Sequence, residues 1–268
     1  MLFRSGRGEL DRAAAGESEA LIEPSDLRGS MHAHTTYSDG AQSVEEMARA
    51  ARARGRTYLV LSDHSQSLRV AGGLTPEEVV RQREEIREVN RILSGEEVGF
   101  RVLHGIESDI LADGSLDYDE EVLQTFDLVI ASVHSRFEMS EEEATERIVR
   151  AVRDPHTHLL GHPTGRLLLR REGYPIDHAR VIEACAESSV AIELNANPRR
   201  FDLDWRWVEA AADAGVPVAI TPDAHSVDEF DYEAWGVRVA RKGGLTPEAC
   251  LNAWSLEELE AWLDRRPS

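Results

Sequence analysis

Met31-His32-Ala33-His34-Thr35-Thr36-Tyr37-Ser38-Asp39-Gly40 is the stretch on which the reading of this chain turns. Side chains of an extended backbone alternate between faces, so His32 and His34 point the same way and their imidazoles can share one cation. Asp39, in the turn-like Tyr37-Ser38-Asp39-Gly40, can fold back and add a hard oxygen ligand. Imidazole plus carboxylate suits zinc, manganese or iron far better than calcium. A single His-x-His is weak evidence, because paired surface histidines are commoner than metal sites. Its weight comes from the same signal recurring downstream.

Outward from this stretch, short apolar runs fall near Ser30–His34, Tyr58–Leu61, Arg101–Ile106, Leu128–Val133, His158–Gly161, Val190–Leu194 and Val218–Ile220. Helical stretches separate most of them. Ser43-Val-Glu-Glu46, Thr75-Pro-Glu-Glu78 and Ser140-Glu-Glu-Glu143 fit the capping box, and Ser255-Leu-Glu-Glu258 opens a closing helix. Over 75–94, Val79, Ile86, Val89 and Leu93 share one face. Strands alternating with helices imply parallel βα units, either a doubly wound open sheet or a closed barrel. An open sheet gathers its site at one switch point, whereas a barrel presents groups from every strand end. Here nearly every run ends on a histidine or an acid: His32, His34 and Asp39; Asp63 and His64; Glu107; His134; His162; Asp223 and His225. A closed barrel built from these seven runs, in the α/β class, is therefore expected.

Composition narrows the rest. A chain of 268 residues suits one large domain or two small ones. A formal net charge of −20 repels a nucleic-acid backbone at long range, which argues against autonomous high-affinity DNA binding but not against a local cationic pocket. No apolar run reaches the roughly 18 residues of a membrane span, and no signal-peptide core precedes the first strand, so a cytoplasmic protein is expected. Cys185 and Cys250 fall in helix-like runs and read as buried thiols in a reducing compartment.

Each polar strand end has a mundane reading by itself: His134 capping a strand, His162 bonding a loop carbonyl, Glu107 pairing with an arginine. Together, six histidines and three acids at equivalent places are hard to assign to chance. Nine ligands exceed what one zinc uses and support two or three ions with positions left for water and substrate. Metals about 3.5–4 Å apart activate a water and clamp the attacking and leaving oxygens in phosphoryl chemistry. Glu107, central in strand order, is the natural bridge.

The set resembles the polymerase and histidinol phosphatase (PHP) domains. Six motifs match in order: 32–40, Ser-Asp-His at 62–64, Gly-Ile-Glu-Ser-Asp-Ile-Leu at 105–111, Ala-Ser-Val-His at 131–134, Gly-His-Pro-Thr-Gly-Arg at 161–166 and Asp-Ala-His at 223–225. The resemblance implies a distorted seven-stranded (β/α)7 barrel of the TIM type and a trinuclear site of zinc, manganese or iron, with His32, His34, Asp39, His64, Glu107, His134, His162, Asp223 and His225 as ligands. Glu107, His134, Asp223 and His225 would be central to the hydrolysis, and Asp63 matches the motif without being a usual ligand. Ser30 stands where the family usually has an aspartate, and an outer-shell hydrogen bond is expected to be lost there. Leu27-Arg28-Gly29, Gly161-to-Arg166 with Arg170 and Arg171, and Glu193-Leu-Asn-Ala-Asn-Pro-Arg-Arg200 look more narrowly like the C-terminal domain of bacterial family-X DNA polymerases, a 3′-5′ exonuclease and 3′-end phosphoesterase. The polymerase part is not in this sequence. Residues 1–27 then read as an arm or linker with a short helix near Gly8 to Ala20, and 28–268 as the barrel.

The expected function is phosphoester hydrolysis through a metal-bound hydroxide, on a nucleic-acid 3′ end or on a small phosphomonoester such as histidinol phosphate or a nucleotide. A non-catalytic, metal-stabilised docking module is the alternative from another class. A metal-dependent amidohydrolase would want a bridging lysine, and the only one, Lys242, follows no strand. Arg166, Arg199 and Arg200 are candidates for phosphate contacts through guanidinium forks. Asn195 and Asn197 read as loop residues, His104 as facing the helices, and His156, His158 and His178 as non-ligands. Trp205, Trp207, Trp254 and Trp262 read as packing residues. Oligomeric state is left open.

Overall fold

Seven apolar runs become seven parallel strands hydrogen-bonded in chain order. The computed structural model describes Gly8, Ala14 and residues 20–96 and 99–264. The strands are β1 Gly29–Ala33, β2 Tyr58–Leu61, β3 Arg101–Asp109, β4 Leu128–Ser132, β5 Leu159–Leu160, β6 Ala191–Asn195 and β7 Val218–Thr221. Around them lie helices α1 Val44–Ala53, α2 Pro76–Glu96, α3 Glu120–Leu123, α4 Glu141–Val152, α5 His178–Ser188, α6 Val208–Asp213, α7 Glu233–Lys242 and α8 Leu256–Leu263. The helix expected near Gly8 to Ala20 lies almost entirely outside the described residues.

Four helices start as their sequences predict. In each capping box the serine or threonine oxygen accepts from the backbone of a glutamate three residues on, and that carboxylate accepts in return: Ser43/Glu46, Thr75/Glu78, Ser140/Glu143 and Ser255/Glu258. Each cap contributes about 1 kcal/mol. In α2 the buried residues are Val79, Gln82, Ile86, Val89 and Leu93, the expected apolar face with one polar member.

The period-two alternation of the strands sorts the core into an inside and an outside. Met31, Val60, Leu103, Ile130, Leu159, Ala191 and Ala219 form one buried cluster that fills the barrel. Their neighbours Leu59, Leu61 and Val102 pack on α1 and α2, and Val129, Ala131, Ile192 and Ile220 pack on the remaining helices. At Gly105 a Cβ would lie 2.7 Å from the Leu61 carbonyl oxygen and 2.8 Å from that of Leu128. Only glycine lets three strands approach that closely beneath Glu107.

Closure between β7 and β1 is incomplete and is repaired twice. At the rim, His34 N donates to the Ala224 carbonyl and Ala224 N to that of His32. Lower down, Asn252 spans the gap, accepting from Ile220 N and donating to the Gly29 carbonyl. Cys250, expected in a helix, instead forms a β-bridge with Val218; it and Cys185 are both buried and neither is in a disulfide. Residues before β1 also dock: Ile22 is fully buried, and its N–H donates to the Leu245 carbonyl.

Candidate metal centre

β1 delivers its two histidines by a device that simple alternation does not supply. The register against β2 shifts between Ser30 and Ala33, and His32 takes φ 62°. This irregularity behaves as a bulge, turning His32 inward next to the inward Met31 so that it still faces the mouth with His34. Asp223, at φ 51°, is re-aimed in the same way at the end of β7. Such positions are costly for non-glycine residues and are found where a site needs them.

The mouth gathers all nine expected side chains around three carboxylates. Glu107 Oε1 lies 2.9 Å from His162 Nε2 and 3.3 Å from both His32 Nε2 and His134 Nε2. Its Oε2 lies 2.8 Å from His64 Nδ1 and 3.8 Å from His34 Nε2. Asp223 Oδ1 faces His34 Nε2 at 3.2 Å and His32 Nε2 at 3.6 Å. Asp39 Oδ1 faces His225 Nε2 at 3.4 Å and His64 Nε2 at 3.5 Å. Three overlapping groups have the spacing to hold an ion: His34, Asp39, His64 and His225; His32, His34 and Asp223; His64, Glu107 and His134. His34 and His64 belong to two groups each, and Glu107 is in contact with five imidazoles. His162 reaches the cluster through Glu107. The open side is the Asp39–His225 edge, whose side chains are 38% and 33% exposed.

Buried atoms without partners test whether cations fit. His32 Nε2, His34 Nδ1, His64 Nδ1, His162 Nδ1 and Glu107 Oε2 are buried with no well-directed hydrogen bond, His64 Nδ1 and Glu107 Oε2 despite lying 2.8 Å apart. Buried polar atoms are almost always satisfied, so a cluster of orphans of ligating type calls for an ion. The electrostatics agree. Burial by itself would lower His32 and raise Glu107 and Asp223. Instead, the Glu193, Glu107 and Asp223 carboxylates hold His32 well above its usual value. His134, His32 and His64 hold Glu107 well below the carboxylate range, and His32 and His34 do the same for Asp223. Against the same burial, Glu107 and Asp109 push His134 up to about 10, and Asp39 and Asp223 push His225 up to about 9. His34, buried and crowded by His64 and His225, is lowered to about 4.

Three acids supporting the cluster lay outside the expected ligand set. Glu193 Oε1 holds His32 Nδ1 at 2.5 Å, and its Oε2 accepts from His162 N. Asp109 Oδ1 holds His134 Nδ1 at 2.5 Å. Both are carboxylate–histidine pairs of the kind that fix ring orientation at metal sites. Alternation puts both on the inward face, Asp109 two residues from Glu107 and Glu193 two residues after the inward Ala191, but does not name their partners. Asp63 is a hub, accepting from Thr35 N at 2.8 Å, Thr35 Oγ1 at 2.7 Å, Ser38 N at 3.2 Å, and the Ser38 hydroxyl and Gln82 amide. Ser30 lies beside Glu233, and His32 Nδ1 is held by Glu193 from another strand. Glu193→Gln and Asp109→Asn should each weaken metal affinity about 10- to 100-fold with little change in fold. Competition titration against a chromophoric chelator reads this, and an unchanged affinity would separate the two carboxylates from the site.

The arginines divide. Arg200 Nε lies 3.4 Å from Asp223 Oδ2 with a buried, unpartnered Nη1, at the edge of the cluster. Arg166, proposed from sequence for phosphate, spends its guanidinium on the Arg200 and Phe201 carbonyls and on Asp204. It braces the loop rather than presenting a free fork. Arg199 is exposed. Asn195 donates to Asp223 at 3.0 Å, and Asn197 caps the following turn. His104 faces α2 as expected, 3.2 Å from Gln82 Oε1, and burial lowers it to about 3. His178 stacks on Trp207, Trp254 meets Trp262 edge-on, and Lys242 lies over Trp205.

A parallel barrel with imidazoles and carboxylates converging at its strand ends defines a class: a metal-dependent hydrolase of the β/α-barrel type. The PHP domain family matches residues 30–197. The chain is 44% identical over 249 residues to the DNA polymerase/3'-5' exonuclease PolX of Bacillus subtilis, covering 93% of this chain but only 43% of that protein. It is 31% identical over 261 residues to a probable phosphatase of Caldanaerobacter subterraneus, covering 88% of this chain and 90% of the relative. The fold also matches the histidinol phosphate phosphatase of Lactococcus lactis, solved with zinc, L-histidinol and phosphate, at a TM-score of 0.60 and 16% identity over 82% of this chain and 94% of that one. The chain belongs to the PHP family, the metal-dependent phosphoesterases that its motifs resemble.

Proposed function

We propose that this chain hydrolyses phosphoesters at a three-cation site held by His32, His34, Asp39, His64, Glu107, His134, His162, Asp223 and His225, with a nucleic-acid 3′ end as substrate. The packing of three ligand groups into one mouth around Glu107, which is in contact with five imidazoles, carries this reading. Zinc, manganese and iron all suit the donors. Bound divalent ions would acidify a water and neutralise charge on phosphoryl oxygens. The protein's own part is positional. Glu193 and Asp109 hold His32 and His134 in fixed orientations, and Asp63 fixes the turn carrying Asp39. Buried walls exclude bulk water, and Arg200, beside Asp223, can take a phosphoryl oxygen by its free Nη1.

The 44% identity to an exonuclease supports a 3′-end substrate. Relatives named as probable phosphatases, matched over nearly their whole length, support a small phosphomonoester as the second reading. The experiment is turnover with manganese or zinc on a 3′-recessed oligonucleotide, histidinol phosphate and nucleoside monophosphates. Faster turnover of the oligonucleotide is expected, a preference for the monoesters favours the second reading, and bound metal without turnover leaves a docking module. No helix among the described residues is long and apolar enough to cross a membrane.

Metal loading should release protons. His32, His134 and His225 are raised, so near pH 7 they are protonated without metal and must be neutral to ligate. In the metal-free protein these raised histidines add stability that is full below their unfolded value near 6.5, and the shares of His225 and His134 fade as pH climbs through about 9 and about 10. Metal affinity therefore rises with pH. Calorimetry in buffers of different ionisation enthalpy measures this, and loading without proton release would contradict it.

A further inference from the structure

The loops after β5 and β6 carry a feature that hydrolysis itself does not use. Residues 163–174 form a small hairpin closed by a bridge between Leu167 and Arg171. At its tip Leu168 is 41% exposed and Leu169 106%, as open as a side chain can be. Leu169 also sits at φ 64°, where a branched side chain is strained. The hairpin is nonetheless firmly braced. Leu168 N donates to the Arg199 carbonyl at 2.6 Å, and Arg166 holds the carbonyls of Arg200 and Phe201. Arg171 donates to the Gly165 carbonyl while lying 3.8 Å over the Phe137 ring. Leu169, strained and fully open on a braced hairpin, buries nothing within the chain, so its use lies with something outside it.

Charge and position say what that is. Residues 163–174 and 196–204 hold five arginines (166, 170, 171, 199 and 200) against Glu172, Asp202 and Asp204, in a chain whose net charge is −20. Two of those acids are already bonded, Asp202 to Thr164 and Asp204 to Arg166 and Arg206. The local excess is cationic on an acidic protein, and it begins at the metal centre, where Arg200 meets Asp223. A groove of about 520 Å³ runs along Arg166 to Gly173. Single strands are held without sequence preference by cationic contacts to backbone phosphates together with side chains packed on base faces, most often aromatic ones, and leucine serves elsewhere as an apolar wedge against bases.

We propose that the 166–171 hairpin and Arg199–Arg200 form a cradle for the terminal nucleotides of a single-stranded polynucleotide. Leu168 and Leu169 pack on an unstacked base, and Arg170 and Arg199 take backbone phosphates upstream of the one that Arg200 faces. This rests on the phosphoesterase reading of the barrel site and makes its substrate a polymer.

The test is a variant carrying Leu168→Ser, Leu169→Ser and Arg170→Ser, all exposed positions whose loss leaves the core intact. Anisotropy of a fluorescein-labelled single-stranded 12-mer is read on wild type and variant in chelator, so binding is scored without catalysis. The variant should bind at least about 10-fold more weakly, with a shallower salt dependence. In manganese, its kcat/KM for the oligonucleotide relative to that for p-nitrophenyl phosphate should fall by a similar factor. Binding within twofold of wild type, an unchanged ratio, or no oligonucleotide binding by wild type overturns the cradle. Wild-type turnover of p-nitrophenyl phosphate would keep the phosphoesterase reading standing in those cases. No turnover of either ester would sink that reading, while anisotropy still decides the cradle.

Discussion

Glu107→Gln is expected to reduce phosphoester turnover about a thousandfold or more while leaving the barrel folded. The amide keeps the size of the carboxylate but removes the one charge in contact with five imidazoles, those of His32, His34, His64, His134 and His162. An amide nitrogen cannot accept from them and is a poor metal ligand. The histidines held up by this carboxylate should also lose protons more easily, His134 first, because Glu107 is the main influence raising it. Two readouts check the prediction: kcat at saturating metal, and the metal content of the dialysed protein. Retention of more than a tenth of wild-type activity would remove Glu107 from the centre of the site.

Asp63→Ala should act through structure and lower stability by about 3–5 kcal/mol in the metal-free protein. Asp63 is fully buried, and Thr35, Ser38 and Gln82 all donate to it. Truncation leaves several buried donors unpaired at once, each costing about 1–3 kcal/mol before relaxation. The same bonds hold the turn between His34 and Asp39, so the group formed by His34, Asp39, His64 and His225 should lose affinity first. Asp63→Asn, which keeps one acceptor oxygen, should fall between wild type and alanine. Urea denaturation in chelator, followed by metal titration, separates the two effects. A variant of wild-type stability would show the hub to be dispensable.

What the sequence made legible follows the local physics of its residues. Capping boxes and apolar periodicities are short-range signals, and the helices begin where those signals lie. Strand ends bearing histidines and acids announced both the barrel and the residues at its mouth, because a parallel barrel places every strand end on one rim. β3 runs on to Asp109 rather than stopping at Ile106, since the apolar pattern breaks where polar residues turn into the site. Glu193 and Asp109 went unassigned because their partners, His32 and His134, lie 161 and 25 residues away on other segments, and such pairings have no local signature. The bulge at His32 was equally hidden: alternation reached the right convergence by a simpler route than the chain takes. Arg166 illustrates the opposite case, since a guanidinium's charge is visible in sequence but its carbonyl partners are not.

Anomalous diffraction from crystals grown with manganese, or with zinc recorded at its absorption edge, tests the central claim most directly. Three peaks are predicted at the barrel mouth, one within each group: His34, Asp39, His64 and His225; His32, His34 and Asp223; and His64, Glu107 and His134. A mouth without peaks at saturating metal, or peaks only at surface carboxylates elsewhere, would contradict it.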